Sequence, residues 1–174
     1  AVAIAVPASG QDIVINEILA DPASGTAGDA NGDGTRDATD DEFVEIYNNG
    51  STAIDISGYT IEDETRLRYT ISSGTTLDPG VTLTVFGGGT PTGIPGIVQT
   101  ASPGGLGLNN GGDTVTLKDA SGTVVQSHNY GNEGSNDESL VRSSPEFTGS
   151  FVQHTTVSAD AFSPGRDLNG DPLP

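Results

Sequence analysis

The chain has 174 residues, 24 Asp and Glu against six Lys and Arg, a formal net charge of -18, and no cysteine. That length suits one domain, or one domain with appendages, that can bury a sizeable core. The charge argues against nucleic acid and anionic membrane, both of which are held through Lys and Arg, and the missing cysteines exclude disulfides and thiol chemistry.

Residues 1–6 read Ala-Val-Ala-Ile-Ala-Val, with Val2, Ile4 and Val6 on one face of an extended strand and no side-chain charge. Pro7 ends the run and Ser9-Gly10 links it to the rest of the chain. An apolar strand left exposed invites aggregation, so it has three destinations: its own domain, a neighbouring subunit, or the remnant of an export signal. The last is suggested by Val6-Pro7-Ala8, which resembles a cleavage site; no basic leader is present, so any export signal is expected to have been removed upstream. Insertion into a neighbour is donor-strand exchange, in which main-chain hydrogen bonds extend the acceptor sheet and alternate side chains fill its groove. Each of the three branched side chains would contribute roughly 1.5–3 kcal/mol before ordering costs. A head-to-tail contact of this kind that does not close yields an open polymer.

Beyond the hinge the apolar period is two. Strands are predicted over 12–19, 42–47, 53–56, 59–62, 67–71, 81–86, 114–117 and 123–130, with turns at 48–50, 78–80 and 119–122. In the second of these, Val44 and Ile46 share one face and Phe43, Glu45 and Tyr47 the other. The glycine- and proline-rich crossing from 87 to 112 is expected to hold little regular structure, and the runs 139–142 and 151–156 to add edges. Short strands at this spacing predict an all-β sandwich. No helix longer than a turn is expected, and no apolar run reaches the ~20 residues needed to span a membrane.

The connection after the first strand carries Asp29-Ala-Asn-Gly-Asp-Gly-Thr-Arg-Asp-Ala-Thr-Asp40. Asp29, Asn31, Asp33, Asp37 and Asp40 occupy positions 1, 3, 5, 9 and 12 of a twelve-residue loop, Gly34 occupies position 6, and Thr35 offers a backbone carbonyl at position 7. This spacing wraps a backbone around one hard cation, and Ca²⁺ takes roughly 6–8 oxygen ligands. Asp40 stands where an EF-hand closes with Glu; the loop resembles dockerin-type calcium repeats, which close with Asp, and Asp41 or Glu42 are alternative closers. Without metal the acids of residues 29–42 repel one another, so a chelator is expected to loosen the fold. Asp167, Asn169 and Asp171 repeat the first part of the pattern; that incomplete cage needs oxygens from elsewhere, for which Asp21 and Glu17 are candidates. The acidic loop 132–138 has no ligand spacing and is read as a turn.

Val14-Ile-Asn-Glu-Ile-Leu-Ala-Asp-Pro22, Asp41-Glu-Phe-Val-Glu-Ile-Tyr-Asn48 and Ile54-Asp-Ile-Ser-Gly-Tyr-Thr-Ile61 resemble the lamin tail domain family. So do Leu77-Asp-Pro-Gly80, Val85-Phe-Gly-Gly-Gly89 and Leu106-Gly-Leu-Asn-Asn-Gly-Gly-Asp-Thr-Val-Thr-Leu117. The resemblance covers about residues 12–165 and implies an immunoglobulin-like β-sandwich. It looks like the bacterial type, a secreted or surface-attached module without chemistry of its own that is sometimes joined to nucleases or phosphatases. A fold alone does not fix a function.

Catalytic patterns are missing. There is no Gly-x-Ser-x-Gly elbow, His-Glu-x-x-His helix or phosphate-cradling loop. The two histidines, His128 and His154, are expected at the surface or in strand packing, and Glu62-Asp63-Glu64 as a solvated strand end. The expected organisation is an extended strand and hinge over 1–10, a sandwich over 11–165 with its calcium loop at 29–42, and an acidic tail over 166–174. The expected function is a secreted, calcium-stabilised structural subunit, polymerising head to tail with copies of itself through Val2, Ile4 and Val6. The alternatives are a monomeric calcium-dependent surface module, with carbohydrate among its ligands, and an accessory domain of a secreted hydrolase.

Overall fold

A computed structural model describes residues 12–144 and 146–174. Val2, Ile4 and Val6 lie outside the described residues. Among the described residues the alternation seen in the sequence forms twelve strands: β1 Ile13–Leu19, β2 Phe43–Asn48, β3 Ile54–Asp55, β4 Thr60–Glu62, β5 Leu67–Thr70, β6 Thr76–Leu77, β7 Thr82–Phe86, β8 Ile97–Thr100, β9 Asp113–Lys118, β10 Val124–Tyr130, β11 Leu140–Arg142 and β12 Phe151–Gln153. They assemble into a six-stranded sheet in the order β12-β11-β1-β2-β7-β8, a four-stranded sheet β10-β9-β4-β5, and the ribbon β3-β6. The fold is the all-β sandwich that the strand spacing predicts.

Two expectations need correcting. The crossing from 87 to 112 contains β8, which pairs in parallel with β7 through Leu83↔Ile97 to Phe86↔Thr100. Nor is 139–142 an edge, because β11 lies between β12 and β1.

The core arises from the period of two. Ile18, Val44, Ile46, Leu83 and Val85 of the large sheet pack with Ile61, Val115, Leu117 and Tyr130 of the smaller one. The alternate residues of β1, β2 and β7 point to the outer face, and that face is covered too. Leu19, Phe43 and Phe86 form a second apolar cluster with Ala30, Ile94, Val98 and Phe162 packed on it, and the Phe43 and Phe86 rings meet at 5.4 Å. Farther along, Phe147 stacks on Tyr47 at 3.8 Å.

Strand directions sort the loops into two poles. Leu19 pairs with Phe43 and Phe43 with Phe86, Asp113 pairs with Tyr130, and Glu62 pairs with Leu67. The connections 20–42, 63–66, 101–112 and 131–139 therefore gather at one end of the sandwich, together with the start of 87–96, which then crosses to the other end as the parallel β7–β8 pairing requires. Short turns such as 78–81 and 119–123 occupy the other. Among the described residues no helix is long and apolar enough to cross a membrane.

Candidate metal centre

The acidic loop sits at the long-loop pole. Glycine at its sixth position permits the turn: Gly34 has φ +90°, a conformation costly for any side chain, and its N–H donates to Asp29 Oδ2 at 2.9 Å. Asn31, Asp33 and Asp37 each cap the backbone two residues on. Asn31 Oδ1 accepts from Asp33 N at 3.0 Å and Asp33 Oδ1 from Thr35 N at 2.8 Å. Asp37 Oδ1 accepts from Thr39 N at 2.8 Å and Asp40 N at 3.1 Å, bonds that hold its carboxyl below the usual range. Asp33 Oδ2 reaches outside the loop to Thr90 N at 3.0 Å.

Asp41 is fully buried and braces the loop from within, accepting from Asn31 N at 3.0 Å and from Asp37 N at 2.7 Å. Burial pushes its carboxyl up and those N–H groups oppose the shift. Glu42 turns away from the loop: Oε2 accepts from Leu108 N at 3.3 Å, and burial pushes the group up to about 8. Thr35 is exposed. Among the described residues no three His, Cys, Asp or Glu side chains converge as a metal cage. One atom is unbalanced: Asp29 Oδ1 is buried and has no hydrogen-bond partner, an arrangement that costs free energy unless a donor or a cation meets it.

The loop is seated on Gly87, Gly88 and Gly89. Gly87 N donates to Glu42 O at 2.8 Å, Gly88 N to Asp40 O at 3.1 Å, and Thr92 N to Asn31 O at 2.8 Å. A Cβ at Gly87 would strike the Thr39 carbonyl, one at Gly88 the Asp40 carboxylate, and one at Gly89 the side chains of Asn31 and Asp33. The Gly-Gly-Gly run is thus the floor against which the acids lie. Arg36 closes the near side through Nε to Ala23 O at 2.8 Å and through Nη2 to Pro22 O.

The other acidic pattern folds on itself. Asp167 Oδ1 accepts from Asn169 N and Asp171 N, both at 2.9 Å, and Leu173 N returns to Gly165 O at 2.9 Å. Asp21 bonds elsewhere, accepting from Asn110 Nδ2 at 2.6 Å.

Sequence reasoning missed two buried charged clusters. Asp63, expected in a solvated strand end, is only 6% exposed. It accepts from Thr65 N at 2.8 Å and Arg66 N at 2.6 Å, and it meets Arg68 Nη2 at 2.5 Å. Burial pushes its carboxyl up, but Arg68 and the N–H donors win and hold it down to about 2. On the outer face Glu17 stands directly across from Glu45 in the β1–β2 register, and both are fully buried. Ser139 Oγ donates to Glu17 at 2.6 Å and Ser163 N at 2.9 Å. Asn16 Nδ2, Thr84 Oγ1 and Gly165 N serve Glu45 at 2.9, 3.1 and 2.5 Å. His154, also fully buried, bonds Asp160 O at 2.7 Å and Ser163 Oγ at 2.8 Å. The one available signal was a Glu at the centre of each of two strongly apolar strands.

The family model of the Lamin Tail Domain matches residues 6–132, well over half of the chain. The chain belongs to the lamin tail domain family. The family's immunoglobulin-like fold is a non-catalytic scaffold. Comparison with curated proteins gives no match. In this lamin tail domain the acidic loop is carried between β1 and β2, inside the matched region. Strands β11 and β12 and the segment bonded to Glu17 and Glu45 lie beyond it, yet they complete the large sheet and cover its outer face.

Proposed function

We propose that this lamin tail domain is a non-catalytic, calcium-stabilised structural module of the cell exterior. Copies of it join head to tail by donating the strand 1–6 to a neighbour. The observation that carries the calcium half is Asp29: one carboxylate oxygen bonds Gly34, while the other is buried without a partner, at the first position of a loop with cation spacing. Asn31, Asp33, Asp37 and Asp40 with the Thr35 carbonyl would complete the shell. Asp41 holds the loop together from behind, and Glu42 lies on the far side of the strand start. A bound Ca²⁺ would supply the positive charge that a chain of -18 lacks. Weak sites of this kind, with Kd on the order of 10⁻⁴–10⁻³ M, suit extracellular calcium. The absence of cysteine fits the same setting, with metal in place of disulfides as the staple. The assembly half rests on the alternation of Val2, Ile4 and Val6.

The test is thermal unfolding with calcium and with chelator. Free calcium at a hundredfold excess over Kd should add about 2.7 kcal/mol to the native state. Asp29→Ala with Asp33→Ala should abolish that increment. A wild-type melting curve indifferent to chelator overturns the calcium assignment.

A further inference from the structure

The long-loop pole holds a pocket of ≈ 160 Å³ lined by Arg66, Leu67, Arg68, Pro103, Gly104 and Gly105. It gathers two of the six basic residues of the chain. Arg68 is committed to Asp63 and to Gly107 O. Lys118 pairs with Glu62 at 2.6 Å. Arg36, Arg142 and Arg166 each bond backbone carbonyls, at 2.8, 2.7 and 3.0 Å. Among the described residues the Arg66 side chain alone of the six has no partner: only its backbone is engaged, by Asp63. In a chain with fourfold more acids than bases, an arginine left unpaired at a pocket rim is the exception to explain.

Its neighbours define what it would take. Leu67, at 52% exposure, is one of two large hydrophobic residues left in solvent among the described residues. The facing wall is backbone: a Cβ at Gly104 would meet nothing within 4 Å, so no side chain shields the approach. Guanidinium beside an aliphatic contact and open main chain suits a carboxylate on a polypeptide, since Arg binds carboxylates bidentately and recurs at interface centres. A sugar is the poorer fit, because no aromatic residue lines the pocket and its volume is below the roughly 300–1,000 Å³ of small-molecule sites. A rich source of such carboxylates is the chain itself, with 24 acids. Asp55 and Asp78 are exposed at the opposite pole, where a head-to-tail neighbour would present them.

We propose that Arg66 and Leu67 form a docking point for an acidic side chain of a second copy of this chain, contributed by its short-turn pole. The contact rests on the head-to-tail assembly proposed for this domain but not on residues 1–6, so the two can be separated.

Sedimentation velocity of the full chain in low salt with calcium, across a concentration series, tests it. Wild-type protein should associate, and at the same ionic strength Arg66→Glu should weaken association at least ~10-fold, with an unchanged melting temperature because the Arg66 side chain has no internal partner. Arg66→Glu that associates like wild type overturns this inference and leaves donor-strand assembly standing. Loss of assembly on removing residues 1–6 but not in Arg66→Glu overturns it equally. A full chain that stays single at every concentration overturns both. Uronate oligosaccharide binding that depends on Arg66, without self-association, reassigns the pocket to a polysaccharide and overturns the proposal.

Discussion

Glu17 and Glu45 sit side by side out of water, and two like charges so placed cannot both ionise cheaply. Burial, reinforced by the charge of Glu17, pushes Glu45 up to about 8, and burial takes Glu42 equally far. An unfolded Glu titrates near about 4.3. The native state therefore keeps protons that the unfolded chain has released. The stability these two groups contribute is whole below pH ~4 and lost as pH rises through about 8. Asp63 has the opposite sign: held at about 2, it stabilises above pH ~4, and that contribution is lost as pH falls through about 2. The melting temperature should therefore decline between about pH 5 and pH 8, and Glu45→Gln should flatten that decline. A wild-type curve that climbs over this range contradicts the assignment. Glu45→Ala, which strands three buried donors, should cost about 3 kcal/mol or more in denaturant unfolding.

At the scale of elements, the acidic loop and the β7–β8 connection fit each other only because Gly87, Gly88 and Gly89 lack side chains. Gly88→Ala would drive a methyl into the Asp40 carboxylate. It should cost about 1–3 kcal/mol and weaken the calcium response as the loop is pushed off its seat. Gly111→Ala, whose Cβ would meet only Asn132 Oδ1 at 3.9 Å, is the control and should be nearly silent. Calorimetry of the two variants with and without calcium decides the point. The same elements mark where the sequence is legible. Strand β2 is readable because Val44 and Ile46 alternate with residues of another face, and the acidic loop because its oxygens stand at cation spacing. Strand β8 is not, since Ile97, Val98, Gln99 and Thr100 are four residues amid glycine and proline, and their parallel partner lies across a long crossing. Asp41 as an internal brace and Asp63 as a turn anchor escape the sequence for a related reason. A carboxylate near a loop reads as solvated until the backbone N–H groups that surround it are placed in space.

For the molecule as a whole, the proposed assembly depends on residues 1–6. Removing them should leave particles of single-chain mass in calcium, by light scattering or electron microscopy, while the full chain forms high-mass species. Assembly that survives the deletion rules out donor-strand exchange. The imbalance of 24 acids against six bases makes any such array self-repelling, so added salt should favour bulk packing of subunits even as it weakens the Arg66 contact. The two responses to ionic strength are separable by comparing wild type with Arg66→Glu.

The hydrogen bonds from Ser163 and Gly165 to Glu17 and Glu45 tie the last quarter of the chain to its first two strands. A fragment trimmed to the matched span 6–132 would bare the outer flank of the large sheet and hand both glutamates to solvent. It would also shed the Ser163 and His154 cluster beside them. The recognisable family core should therefore be less stable alone than in the whole chain, and a recombinant piece cut at its boundary should be a poor proxy for the intact molecule.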